Sequence, residues 1–490
     1  MSVPSSARHV QKARTDMNMV GGALFPKIVA FTIPIMLQSL LQTLYNSADT
    51  VIVGRFAGAE SVRALAAVGA TASLYAALVG FFIGIATGVD VICSFCEGAR
   101  DREGVRQTVD TSIVIAPLLG LLVTAVGLLL ARPLLILMGT PAEGGVLDGA
   151  VRYLRILMIG VPFSMLYNFA AAVLRTAGET RRPFLYLAVA GALNVALNIL
   201  FVAGFGLAEA GVAIATVISE VVSALLIFRL LLRNDGVFSF SPRRISFSLS
   251  KLRRIVSVGL LAGIQSTVFS VSNVFLQAGV NSFGDAAMAG SSATTTIENI
   301  LWCTSTAPLN AATTFVSQNV GARRLDRVRR TTLYCCLLSV GLGLVLGLSG
   351  YFGATALIGL FTSSPEAIAY GLERAAITFP YYAIASLMGT LPGAIRGLGY
   401  SLSSTLISVF GACGVRIIWI YTVFARFHTM EMLFIVHPIT WIITTVCLLL
   451  CYFICLRRVG LRLATPSSAP DAPAPPMAFC GNSAADLENS

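Results

Sequence analysis

The sequence predicts an all-α integral membrane protein with twelve transmembrane helices in two six-helix bundles, related by a pseudo-two-fold axis along the membrane normal. Three observations carry this. Of 490 residues, 56% are hydrophobic and 12% charged, with a mean hydropathy of +0.81, whereas soluble domains carry about 25% charged residues. Twelve apolar runs are each long enough to cross about 30 Å of hydrocarbon. The chain also repeats itself at the scale of half its length.

In order, the runs cover residues 28–53, 64–96, 107–131, 152–174, 183–204 and 211–233, then 255–280, 286–318, 331–353, 368–395, 402–425 and 431–456. The first is too long for a signal-peptide core, and no small-residue cleavage site follows it. The net charge of +11 comes largely from Lys and Arg in short connectors, among them Arg100, Arg102, Arg106, Arg181, Arg182, Arg323, Arg324, Arg327, Arg329 and Arg330. These fall on the side that also holds both termini, which the positive-inside rule makes cytoplasmic. No basic, aromatic-studded face suggests a nucleic-acid partner. Residues 1–26 read as a cytoplasmic N-terminal segment, 27–233 as the first lobe, 234–250 as a cytoplasmic linker, 251–457 as the second lobe, and 458–490 as a disordered tail.

The repeat is visible residue by residue. "IPIMLQSLLQTLYN" (Ile33 to Asn46) lies over "LLAGIQSTVFSVSN" (Leu260 to Asn273), matching Gln38 with Gln265, Ser39 with Ser266 and Asn46 with Asn273. "GARDREGVR" matches "GARRLDRVR", and "RTAGET" matches "RGLGYS". Each half has an even number of spans, so both enter the membrane in the same orientation, an architecture of transporters.

Charged and polar residues inside the spans are costly there and therefore candidates for function. Asp49 sits in the first run, and Gln38, Gln42, Tyr45 and Asp49 share one helix face with Asn46 at its margin. Asn194 and Asn198 share a face of the fifth span, and Thr216 and Glu220 a face of the sixth. A carboxylate with amide and hydroxyl oxygens can coordinate a hard cation or carry a proton. In the repeat Asp49 falls on Leu276, so this set belongs to the first lobe only, and the seventh and tenth spans are expected to lack an acid. Glu298 and Arg416 are expected to pair or to line a central cavity together, with Gln265 and Asn273 as further cavity candidates. Asp90 is expected to be solvated. Pro34 removes a backbone donor within the first span and marks a hinge. Tyr45, Tyr167, Phe275, Trp302 and Tyr381 are candidate cavity walls for flat cations. The ten cysteines read as free thiols, since three histidines and no paired CxxC motif give no metal site. The Pro-, Ala- and Ser-rich end carries Cys480 too far from the terminus for a prenylation box.

The run "PIMLQSLLQTLYNSADTVIVG", the loop "EGARDREGV", "LRTAGETRRP" and "LNVALNILFVAGFGLAEAGVAIATVIS" resemble the multidrug and toxic compound extrusion (MATE) transporters over residues 27–457. The resemblance implies a two-lobed antiporter exporting amphipathic, usually cationic, compounds in exchange for sodium ions or protons, with no other cofactor. It also implies that Asp49, Asn194, Asn198 and Thr216 line a cation site. Glu220 departs from the family pattern, in which glutamine is commoner. The expected setting is the bacterial cytoplasmic membrane, with organic cations and lipid as partners and the monomer as the functional unit.

A lipid-linked saccharide flippase of the same superfamily is the competing reading, but it calls for a basic cavity, and the sequence gives one clear intramembrane base, Arg416. A membrane enzyme would need a convergent catalytic set, which His437 alone does not supply. A receptor or passive channel does not account for the duplicated lobes.

Overall fold

The computed structural model of the protein describes residues 17–141, 145–234 and 236–464. The expectations for residues 1–16 and for the end beyond Ala464, its disorder and Cys480 included, lie outside the described residues. All regular structure among the described residues is helical.

Six long helices make the first half: α1 (Leu24–Phe56), α2 (Ser61–Gly98), α3 (Arg102–Leu137), α4 (Val146–Thr176), α5 (Arg181–Ile199) and α6 (Ala208–Arg233). The second half holds α7 (Leu249–Asn281), α8 (Asp285–Leu301), α9 (Cys303–Gly321), α10 (Leu325–Gly359), α11 (Pro365–Thr378) and α12 (Tyr382–Gly397). It closes with α13 (Ser401–Ser408), α14 (Val415–Trp419), α15 (Ala425–Phe427), α16 (Met430–Phe434) and α17 (Val436–Ala464). Among the described residues ten helical stretches are long and apolar enough to cross a membrane, which makes this a multi-pass membrane protein. The eighth and tenth expected spans are not among them because each is broken. The eighth divides at Trp302 into α8 and α9, and the tenth divides at Phe379–Tyr381 into α11 and α12. Pro380 in that turn has no N–H to continue the ladder. Irregular backbone at membrane depth is tolerated where it is covered by protein or faces a cavity.

The duplication extends to local geometry. α1 and α7 are both 33 residues long. The turns after α2 and α9 each place an arginine in the left-handed region, Arg100 at φ 59° and Arg323 at φ 57°. Side chains start several helices: Asp101 accepts the Gly104 N–H at 2.8 Å, and Ser364 accepts that of Ala367 with Pro365 at the first helical position.

Buried side chains gather into two large clusters. One is drawn from α2, α3, α4, α6 and the start of α7. The other comes from α8 to α12, α17 and the first third of α1. α1 therefore straddles the halves: Ile28, Phe31 and Ile35 bury in the second cluster, with Phe31 edge-on to Phe315 at 5.3 Å, while Ile52 and Val53 pack with α4 and α6 residues of the first half. Pro34, buried in an uninterrupted α1, lies where the allegiance changes.

The halves also meet along α2. A Cβ on Gly84 would strike the backbone of Gly263, one on Gly88 the Ile255 carbonyl, and one on Gly98 the Gln318 carbonyl. Small residues let helix backbones touch, the usual device where lipid offers no hydrophobic drive between helices. At the same end the connector before α7 is pinned to α3. Asp110 accepts the Ser246 N–H at 2.8 Å, Thr111 Oγ1 accepts that of Ser248 at 3.0 Å, and Arg106 donates to the Arg244 carbonyl at 2.8 Å. The stretch before α1 is tied to α9 and α10, with Arg327 donating to the Gly22 carbonyl and Asn319 to that of Met19.

Candidate functional site

Four sequence-predicted residues form one hydrogen-bonded chain across three helices. From α5, Asn198 Nδ2 donates to Asp49 Oδ1 of α1 at 2.5 Å and to Asn194 Oδ1 at 3.0 Å. Asn194 Nδ2 donates in turn to Thr216 Oγ1 of α6 at 3.3 Å. The spacing of four residues stacks the two amides on one face of α5. A π-helical segment, Leu200–Gly204, follows directly, and such segments cluster at functional sites. Asn194 and Asn198 are buried, Asp49 half-buried. Asn198 Oδ1 is buried without a partner, leaving an oxygen acceptor beside the carboxylate. Tyr45 does not reach this chain or the cavity. Its hydroxyl donates to the Ala188 carbonyl at 3.2 Å, and its ring fills the space a Cβ at Gly191 would need.

One turn along α6 from Thr216, Glu220 accepts a hydrogen bond from the Tyr75 hydroxyl at 3.1 Å, while its other oxygen is buried without a partner. Tyr75, on α2, carries no sequence signal that separates it from other aromatics.

Pairing divides the acids of the helical body. Asp90 lies 3.5 Å from Arg175, Asp110 3.9 Å from Arg106, Glu209 2.8 Å from Arg152 and Glu298 2.5 Å from Arg374. Among the described residues, Asp49 and Glu220 have no basic partner. Asp90 corrects the expectation of a solvated side chain. It is 1% exposed, because α9 packs across the end of α2 and Thr314 Oγ1 donates to it at 2.9 Å.

A second site lies between the halves, a cavity of about 550 Å³. Its wall includes the predicted Gln38, Gln42, Gln265, Asn273, Glu298 and Arg416. Asn46 is exposed and outside the lining, and of the five aromatics proposed as walls only Trp302 is in it, joined by Phe269, Tyr382 and Trp441. Glu298 and Arg416 share the cavity but do not pair with each other. Arg374 takes both Glu298 oxygens, and Thr378 donates to one at 2.9 Å. Arg416 donates to Asn273 Oδ1 at 2.8 Å and lies 3.4 Å from His437 Nδ1, so His437 is not alone. Spacing hid Arg374, which stands 76 residues from its partner.

The expectation of one clear intramembrane base is also corrected. Arg175, Arg374 and Arg396 line the cavity with Arg416. The tenth span carries an acid after all, Glu373, exposed on α11. Six of the nine described cysteines are buried, with Cys336 and Cys451 partly covered and Cys447 exposed. No cluster of metal-ligand type occurs among the described residues.

The family model described as MatE matches residues 34–200 and again 262–422. The chain is 27% identical over 394 residues to the probable multidrug resistance protein YoeA of Bacillus subtilis strain 168, covering 79% of this chain and 84% of that one. It is 26% identical over 401 residues to the probable multidrug resistance protein NorM of Thermotoga maritima, covering 80% and 84%. Among solved structures, a MATE protein in complex with MaL6 is similar with a TM-score of 0.83 at 22% identity, covering 91% of this chain and 99% of that one.

Proposed function

This chain belongs to the MATE family of multidrug efflux transporters, and from that premise we propose that it is an antiporter that exports amphipathic organic compounds by alternating access, driven by an inward flux of protons or sodium ions. One observation carries the coupling: Asp49, in the first span, has no basic partner and instead heads a chain of amide and hydroxyl groups reaching α6. An ionised carboxylate at membrane depth costs about 2.5–3.5 kcal/mol on insertion scales. An arriving cation that neutralises it removes that cost in whichever conformation admits the cation. Glu220, equally without a base, is a second acid on the same lobe.

Two six-helix bundles would rock about the central cavity, in the bacterial cytoplasmic membrane and with both termini inside. The glycine contacts of α2 with α7 and α9 lie towards the cytoplasmic ends of those helices, so the described conformation is read as closed inward. α1 joins the two sites, since its first third packs in the second half and its Asp49 end against α5. Pro34 lies between, at a position suited to a hinge. The basic cavity required of a lipid-linked saccharide flippase is present, but the relatives are named multidrug resistance proteins, and the exporter reading is retained.

Sealed vesicles holding the purified protein test this, with sodium and pH gradients imposed separately and a fluorescent amphiphile as cargo. The wild type is expected to move cargo against its gradient under one of the two, and Asp49→Asn to insert normally and lose that uphill movement. Gradient-driven transport by Asp49→Asn at the wild-type rate would rule the coupling role out.

A further inference from the structure

The cavity's charges do not cancel. Of the three buried arginines in its wall, Arg374 alone faces a carboxylate, that of Glu298. Arg396 is 5% exposed and its one hydrogen bond goes to the neutral Gln265, at 2.7 Å. Arg416 is 3% exposed and meets only neutral groups, Asn273, Ser272 and His437. No acid lies within ion-pairing distance of Arg396 or Arg416 among the described residues. Arg175, the fourth arginine of the wall, is already held by Asp90. The repeat shows how the imbalance arises. Arg396 matches Arg175, but the residue matching Asp90 in the second half is Thr313, so that arginine keeps its charge without the acid.

Hydrogen bonding points the same way. His437 Nδ1 faces Arg416 Nη2, a donor with no lone pair to offer, so Nδ1 is the acceptor and the ring proton sits on Nε2. Nε2 is buried without a partner, as are Nε of Arg416 and Nε of Arg396. All three are donors, so this part of the wall adds positive character and no free acceptor, which suits a carboxylate or phosphate head. The π-helical segments Val409–Gly414 and Ile420–Phe424 flank the short α14 that carries Arg416. Trp441, against His437 at 5.4 Å, and Trp302 supply flat apolar wall for the body of a ligand. Gln265 and Asn273 are eight residues, about 12 Å of rise, apart on α7, so Arg396 and Arg416 meet that helix at two separate levels.

We propose that the cavity takes an amphiphile with an acidic head, a carboxylate or phosphate seated at Arg416, with Arg396 adding a second uncompensated positive charge. This rests on the exporter reading and reverses the charge expected of the cargo from sequence.

Three probes with one ring system and different charge test it: 1-pyrenebutyrate, 1-pyrenebutanol and 1-pyrenemethylammonium, added to the full chain in phosphatidylcholine nanodiscs. Energy transfer from Trp302 and Trp441 reports occupancy. The carboxylate is expected to bind about tenfold more tightly than the alcohol, and the ammonium more weakly than both. Arg416→Gln should erase the preference for the carboxylate over the alcohol, Arg416→Lys should keep part of it, and Arg396→Gln should reduce it about threefold. Wild-type binding that ranks the ammonium equal to or above the carboxylate overturns the proposal even if no variant folds, as does a full preference surviving in both glutamine variants. Added phosphatidylglycerol that displaces pyrenebutyrate would assign the seat to lipid headgroups, and no displacement would assign it to free organic acids; both support the acidic head. In gradient-loaded vesicles, pyrenebutyrate that binds but is never moved would sink the exporter reading and leave the site standing. Movement of pyrenemethylammonium with no charge preference in binding would do the reverse.

Discussion

Removing one member of the Glu298–Arg374 pair strands the other, a charge buried among α8, α11 and Phe434, whose ring lies 4.6 Å from the Arg374 guanidinium. Breaking such a pair costs about 3–5 kcal/mol, whereas replacing both members can be near neutral. Glu298→Gln and Arg374→Met are each expected to lower the thermal unfolding midpoint in detergent, and the double variant to recover most of the loss. Recovery instead on combining Glu298→Gln with Arg416→Gln would restore the Glu298–Arg416 pairing expected from sequence. At Asp49 the informative change is in its neighbour. Asn198→Ala removes a hydrogen bond to a charged group, about 1.5–3 kcal/mol. The apparent affinity for the driving ion, read from initial transport rates against ion concentration, should change by about tenfold to a hundredfold, falling for sodium, which loses the amide oxygen beside the carboxylate, and rising for protons, since the lost N–H favoured the ionised carboxylate. An unchanged ion dependence would mean that the amide only ties helices together. Helical period puts Asn194 over Asn198, but it was the resemblance to the MATE transporters that joined them to Asp49 and Thr216. Arg374 was not legible in the sequence, because hydropathy averages a lone arginine into its run and nothing local joins it to Glu298.

Among the elements, α2 is the one whose position depends most on side chains that are missing. Gly84 and Gly88 let it lie on α7, and Gly98 lets it touch α9, with main-chain atoms where a Cβ would stand. Gly88→Val would force α2 and α7 apart at the Ile255 carbonyl. Since a packed crossing has few intermediate states, the expected result is a shift to the opposite-facing conformation rather than a small bend. Proteolysis or thiol labelling of the cytoplasmic loops in inside-out vesicles should then rise, with transport lost and helix content kept. Protection equal to the wild type would show that the contact is not a gate. Hydropathy gave twelve spans, ten of which are long apolar helices among the described residues, but the breaks at Trp302 and Phe379–Tyr381 did not follow from it. A proline within an apolar run, such as Pro380, marks a kink or a break alike, and nothing local in the sequence marks the break at Trp302.

At the scale of the molecule, the covered acids without a basic partner among the described residues, Asp49 and Glu220, lie in the first half, and the buried arginines without an acidic partner, Arg396 and Arg416, in the second. An ion that drives transport must act on the balance between the two facing states, and moving that balance from 1:99 to 99:1 takes a difference in binding of about 5.5 kcal/mol between them. Uncovering an ionised carboxylate in one state and neutralising it in the other is of that order only if more than one acid takes part, since the insertion cost of one is about 2.5–3.5 kcal/mol. Two acids without bases on one lobe meet that requirement. Paired spin labels on Arg102→Cys and Asp326→Cys, at the first turns of α3 and α10 with native thiols replaced, report the separation of the two halves at the sealed end. Adding the driving ion should shift the distance distribution in the wild type. Asp49→Asn or Glu220→Gln alone should leave a partial shift, and the double variant none. A full shift in the double variant would show that the conformational equilibrium answers to groups other than these two carboxylates.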